Sequence, residues 1–135
     1  MNELIENQLI DYTRVTLPNT GGITEFMKIA ALCETHYVGM IPHFTGPLAT
    51  AALVHVLGAW EGRALMEIAG GIPERPAYFN EDIVNFQNGR LYRNSKPGLG
   101  VEFNPKKAEF VVEIKERNPF KHPLLARPDG SVNNW

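Results

Sequence analysis

The chain has 135 residues, 44% of them apolar and 21% charged, which suits one modest hydrophobic core and makes a single domain the expectation. A net charge of −2 and a pI near 6.1 leave no basic field, and no stripe of aromatic and arginine residues marks a nucleic-acid surface. The acidic start Met1–Glu6 has no apolar signal region, and the apolar run Ala49–Trp60 is too short to span a bilayer and is broken by His55, so neither export nor a membrane is indicated.

Residues 2 to 8 read as the end of a short helix with Leu4 and Ile5 on its apolar side. Leu9 to Thr16 carries Ile10, Tyr12, Thr13, Val15 and Thr16, a β-prone set closed by Pro18, and reads as a strand. Gly21-Gly22 then supply a tight strand-to-helix turn. The free backbone N–H groups at the following helix start also offer a seat for an anion, although turn geometry alone accounts for both glycines. From Ile23 to Glu34, Phe26, Ile29, Ala30 and Cys33 recur with the period of a helix covering a sheet. Cys33, the single cysteine, excludes an intramolecular disulfide, reads as a small core residue rather than a nucleophile, and suits a reducing cytoplasm. Tyr37 to Ile41 is a short buried strand with His43 just past its carboxyl end. Pro47 sits where a first helical turn tolerates it, and Leu48, Ala51, Ala52 and His55 share one face up to about Ala59. Arg63 to Ile68 is a third strand, with Glu67 near its end.

Two strand–helix repeats and a further strand argue for an α/β fold with parallel pairing and helices on one side, either part of a βα barrel or a small doubly wound sheet. After Gly70-Gly71 the character changes to a proline-punctuated tail (Pro73, Pro76, Pro97, Pro105, Pro119, Pro123, Pro128). There Asn88-Gly89 marks a hairpin turn, Leu91-Tyr92 and Val101–Phe103 flank the loop Lys96–Gly100, and Ala108 to Ile114 reads as another strand. His43, at a strand end, is of the residue type suited to acid or base work near neutrality. A histidine hydrogen-bonded into a loop is the plain alternative. Glu67 is equally readable as a solvated carboxylate. His55 is a packing residue, His36 and His122 lie in loop contexts, and Lys106, Lys107 and Lys115 read as solvated surface. No histidines or carboxylates have metal-ligand spacing on one helix and no thiol pair exists, so no self-contained metal site is expected.

The runs Pro18-Asn19-Thr20-Gly21-Gly22-Ile23-Thr24-Glu25, Ile41-Pro42-His43 and Ala64-Leu65-Met66-Glu67-Ile68, in this order and at these spacings, resemble the last third of the mandelate racemase and muconate lactonizing enzyme group of the enolase superfamily, above all its acid-sugar (galactonate-like) dehydratases. Pro97–Val101, Arg127–Ser131 and Asn134-Trp135 extend the resemblance over nearly the whole chain. It implies a partial (βα) TIM barrel, the last three strands and their helices, over residues 1–70, and an irregular or β tail over residues 71–135 that packs on the capping domain. His43 takes the place of the family's general base or acid. Thr16 stands where the family places an aspartate that hydrogen-bonds that histidine; threonine can orient an imidazole but brings no charge. Asp11 cannot replace it, since five residues down a strand is roughly 16 Å at about 3.3 Å per residue. Glu67 takes the place of a glutamate that hydrogen-bonds the substrate or its enediolate.

In that family three acidic side chains on earlier strands hold a magnesium ion (Mg2+) that stabilises the enediolate. Those ligands and the lysine bases of the second strand find no counterpart here. The resemblance therefore implies the carboxyl-terminal portion of an acid-sugar dehydratase homologue, incompetent alone, with no cofactor of its own. Self-association is expected as well, because three strands leave two open edges and a wetted inner face. The alternatives are one subunit of a split magnesium-dependent sugar-acid dehydratase (a lyase), completed by a polypeptide carrying the front half, and a non-catalytic regulatory or sugar-acid-binding module using His43 and Glu67.

Overall fold

The protein is described by a computed structural model covering residues 1–43, 46–68, 77–79 and 85–113. Helix α1 (Asn2–Glu6) is a single turn that buries Ile5 and leaves Leu4 exposed. Strand β1 (Tyr12–Thr13) leads through Gly21 and Gly22 into helix α2 (Ile23–Thr35). Both glycines have left-handed φ, 101° and 97°, which a side chain would strain, so this turn depends on them. Along α2 the expected stripe turns inward: Phe26, Ala30 and Cys33 are buried and Ile29 is half-buried. Strand β2 (Gly39–Met40) follows, then helix α3 (Pro47–Ala59), which opens on Pro47 in its first turn as expected. Leu48 is a correction, for it lies 48% exposed while the helix is otherwise buried from Ala49 through Val54.

β1 and β2 pair in parallel, Tyr12 opposite Gly39 and Thr13 opposite Met40, and a parallel bridge joins Met40 to Ala64. The three segments thus lie in parallel with β2 central, as the chain order implies. They are much shorter than the runs 9–16, 37–42 and 63–68 read from the sequence. The third is a single bridge. No strand among the described residues pairs with the outer side of β1 or of the Ala64 segment, so nothing holds their ends straight and no barrel closes there. Single backbone hydrogen bonds nevertheless carry the ladder on: Ile41 N–H donates to the Thr13 carbonyl at 2.9 Å and His43 N–H to the Val15 carbonyl at 3.0 Å, while Leu65 N–H reaches Met40 at 3.0 Å.

Period-two alternation sorts the side chains. Thr13, Val15 and Leu17 with Val38, Met40 and Pro42 are buried. Val15, Leu17, Val38 and Met40 form one core with Phe26, Ala30 and Cys33 of α2 and Ala52, Leu53 and Val56 of α3. Each large side chain fully buried there contributes about 1.5–3 kcal/mol. Tyr12, Arg14, Thr16, Ile41, His43, Arg63, Leu65 and Glu67 fall on the other face, where each is half-buried or exposed.

The tail returns to α3. Phe79 and Ala51 are buried against each other's surroundings with Tyr78, Leu99 and Val101, and Phe79 bridges Phe103 antiparallel. His55 contacts the Leu99 carbonyl at 3.2 Å, the packing role expected of it. β3 (Asn85–Gln87) and β4 (Arg90–Tyr92) form the hairpin around Asn88-Gly89, whose φ values of 51° and 75° are those of a type I′ turn. Residues 108–113 form no strand, contrary to the reading of Ala108–Ile114, and Phe110, Val111 and Val112 stand exposed, with no strand among the described residues paired to them; Ile114 lies outside the described residues. His122, Lys115, Arg127–Ser131 and Asn134-Trp135 also lie outside them. Among the described residues no helix is long and apolar enough to cross a membrane.

Candidate functional site

The strand register decides which side chains meet. The β1–β2 pairing, continued through the His43–Val15 hydrogen bond, sets Thr16 opposite His43. The Met40–Ala64 bridge, continued in the same way, sets His43 opposite Glu67. Three residues singled out from the sequence therefore form one row across the carboxyl ends of the three parallel segments, on the open face of the sheet.

The side chains that touch are not those three alone. His43 Nδ1 lies 2.7 Å from Glu67 Oε2, and between them reaches a residue that sequence reasoning missed, Arg14. Its Nη2 donates to Glu67 Oε1 at 2.8 Å and Oε2 at 2.7 Å and lies 2.7 Å from His43 Nδ1. Arg14 was findable in principle, since it sits two residues before Thr16 and so shares its strand face. What could not be read was its reach across two neighbouring strands. The Thr16 hydroxyl makes no hydrogen bond to His43; its carbonyl instead accepts the Thr20 N–H at 3.0 Å and opens the turn toward Gly21-Gly22. The N–H groups of those glycines donate to the Pro18 and Leu17 carbonyls at 3.2 and 3.1 Å, so the amides open to an anion are those of the first turn of α2 rather than the glycines' own.

The cluster is partly solvated, with side-chain exposures of 55% for Arg14, 42% for His43 and 35% for Glu67. The hydrogen bond from His43, then that from Arg14, holds the Glu67 carboxyl below its usual range. Chemically the arrangement offers a carboxylate fixed in its charged form, an imidazole able to exchange a proton and a guanidinium able to meet an anion. It does not fit a divalent cation. No group of three histidine, cysteine or carboxylate side chains among the described residues could hold one, and the guanidinium already occupies the only carboxylate of the row.

At the amino-terminal end of the same face a second row runs Tyr12–Gly39–Arg63. Arg63 Nη1 donates to the Tyr12 hydroxyl at 3.2 Å across Gly39. A Cβ on Gly39 would lie 2.5 Å from the Tyr12 ring, so glycine is what lets the ring lie over the middle strand.

The chain is similar to known proteins over most of its length. A family model described as enolase C-terminal domain-like matches residues 1–107. The D-mannonate dehydratase of Caulobacter vibrioides is 34% identical over 139 aligned residues, 98% of this chain, and the D-galactonate dehydratase of Pectobacterium atrosepticum is 35% identical over 127, 88% of this chain. The chain spans about a third, 32%, of the length of each. Among solved structures, an enolase from Pantoea ananatis with bound D-gluconate and Mg superposes with a TM-score of 0.70 at 31% identity, over 78% of this chain and 26% of that one. The L-talarate dehydratase of Polaromonas with Mg and L-glucarate gives 0.58 at 31% identity, over 78% of this chain and 27% of its own.

Proposed function

We propose, on the premise that this chain belongs to the enolase C-terminal domain-like family, that it supplies the carboxyl-terminal strand ends of an acid-sugar dehydratase barrel and does not turn over a sugar acid by itself. In this reading residues 1–70 are the last three barrel strands with their helices, and residues 71–135 are the tail that packs on a capping region. His43 exchanges the proton, Glu67 orients the imidazole and meets the substrate, and Thr16 occupies the place of the dyad aspartate. The supporting observation is the single in-register row Thr16–His43–Glu67 at the ends of three parallel segments.

What the residues can supply supports the reading that the chain is incompetent alone. A positioned acid or base accounts for a factor of about 10²–10⁴, and the remaining stabilisation of an enediolate falls to a metal ion for which the described residues offer no ligand set. Magnesium and sugar acid would then come to this chain only in company with the rest of a barrel. Self-association is part of the same proposal. β1 and the Ala64 segment each leave one edge unpaired among the described residues, and the face carrying Leu65, at 57% exposure, is open, so a two-fold pair of chains is the simplest cover.

The test is an assay with D-mannonate, D-galactonate and D-gluconate in the presence of magnesium, alongside sedimentation over a range of concentrations. No turnover and a discrete dimer are expected; turnover by the chain alone would overturn the first half, and a monomer at tens of micromolar the second. A second reading, the split enzyme, draws on the 32% coverage of the relatives. It expects dehydration to appear when a polypeptide carrying the remaining strands is added and to vanish again in His43→Asn. No activity in the mixed sample despite stable complex formation would reject it.

A further inference from the structure

The segment 108–113 has the β-prone composition of a strand, yet Phe110, Val111 and Val112 lie 81%, 83% and 68% exposed. It leaves the 3₁₀ turn Pro105–Lys107 through Ala108, whose backbone is already extended at φ −98° and ψ 136°. An open edge of matching character lies on β1. The carbonyls of Asp11, Thr13 and Val15 accept the N–H groups of Gly39, Ile41 and His43 at 2.8, 2.9 and 3.0 Å, so these residues face β2. By the alternation of a parallel ladder, Tyr12 and Arg14 turn their N–H and C=O groups to the outer side, where no strand among the described residues pairs with β1.

We propose that residues 108–113 of one chain add as a parallel strand to the outer edge of β1 in a second copy, each chain giving its segment and receiving the other's. This names the contact behind the self-association proposed above and rests on that half of the reading, not on the dehydratase half. Charge sets the direction and the register. Asp11 and Arg14 stand three residues apart, as do Lys106 and Glu109 with the signs reversed, and all four are exposed. Laid parallel with Lys106 beside Asp11, the segment brings Glu109 beside Arg14. The same register sets Phe110 beside Val15 and Val112 beside Leu17, so that both apolar side chains extend the buried side of the sheet. Ala108 and Phe110 then turn their backbone groups to those of Tyr12 and Arg14. Run antiparallel over the same residues, the segment would set Glu109 against Asp11 and Lys106 against Arg14, like against like.

The other open edge fits less well. Along the Ala64 segment, pairing Lys107 with Glu61 and Glu109 with Arg63 brings Glu113 against Glu67. A second copy, and not the same chain, receives the segment because its root is tied elsewhere. Phe103 bridges Phe79, the Asn104 N–H bonds the Tyr78 carbonyl at 2.8 Å, and Phe79 packs with Ala51 of α3. Helix α3 leads from β2 to the Ala64 segment, so this root lies away from β1, and only three residues separate Phe103 from Lys106. Main-chain hydrogen bonds supply the affinity of such an added strand, and its side chains supply the register.

The test follows the full chain by sedimentation and by hydrogen exchange read with NMR, from sub-micromolar to hundreds of micromolar protein. The backbone amides of Arg14 and Phe110 should slow together, by about tenfold or more, as the dimer forms. Phe110→Pro removes a ladder donor at a residue that is exposed in the single chain, and should dissociate the dimer while leaving the unfolding midpoint of the dilute monomer unchanged. Lys106→Asp should weaken the dimer about fivefold or more, since a two-fold pair holds that contact twice, and adding Asp11→Lys in the same chain should restore it. A monomer at every concentration would overturn self-association and this interface together. A dimer in which the two amides stay fast, one that survives Phe110→Pro, or one that the second charge reversal does not restore would overturn the interface alone. Protection of the two amides independent of concentration would place the segment on its own chain and overturn it as well.

Discussion

Gly39→Ala probes the open face at its tightest point. The new Cβ would stand 2.5 Å from Cδ1 and Cε1 of Tyr12 and 3.0 Å from the Arg63 carbonyl oxygen. Carbon atoms in contact prefer about 3.5–4.0 Å, so the ring is about 1 Å too close and must swing off the strand, giving up its cover and its hydrogen bond from Arg63. Overpacking of this kind costs about 1–3 kcal/mol. Removing a glycine restricts the unfolded chain and returns about 0.4–1 kcal/mol, leaving a net loss of about 1–2 kcal/mol. The assay is urea unfolding followed by circular dichroism at several protein concentrations, in which the midpoint should fall by about 0.5–1 M for a slope near 2 kcal/mol/M. In a Tyr12→Ala background the ring is gone and only the 3.0 Å approach to the Arg63 carbonyl oxygen remains, so the same substitution should cost clearly less. Undiminished stability with Tyr12 present, or an equal cost in both backgrounds, would refute the placement of the ring over Gly39.

Arg14→Gln should raise the Glu67 carboxyl toward its ordinary range, because the guanidinium that bonds both its oxygens is gone and only the His43 contact remains to depress it. As the depressed value belongs to the folded state, the stabilisation it brings is present at neutral pH and lost as pH falls through that value, and the variant should lose it at higher pH; an unchanged carboxyl titration by 13C NMR would contradict the contact. Burial pushes the Cys33 thiol up to about 11, so a thiol reagent should modify it only as the chain unfolds, and labelling of the native chain at the rate of the denatured one would place Cys33 outside the core. Phe26→Ala, at a fully buried position between helix and sheet, should cost about 3–5 kcal/mol in the same urea assay, and a loss below about 1 kcal/mol would mean that α2 does not close the core.

Helix α2 is plain in the sequence because Phe26, Ala30 and Cys33 repeat at helical spacing after a glycine pair that no other residue type could replace without strain. Helix α3 is equally plain in extent, opening on Pro47, but not in orientation: a run so uniformly apolar has no single buried stripe, and the fold leaves Leu48 exposed while Ala51 packs with Phe79, Leu99 and Val101. The extended runs 9–16 and 63–68 overstate their strands, since β propensity names residues that tolerate a sheet and pairing depends on a neighbour being present. The site divides in the same way. Thr16, His43 and Glu67 can be placed at strand ends from local pattern and resemblance, yet their meeting depends on the register of segments far apart in the chain, which backbone hydrogen bonds set; a slip of one residue would carry Arg14 through the sheet to the helix side and leave Glu67 without its cation. The sequence by itself therefore determines the helices, the turns and the face on which each strand residue lies. Only the tertiary structure decides that a long arginine side chain spans three strands to join an imidazole and a carboxylate, because that contact depends on distances between strands and not on any spacing along the chain.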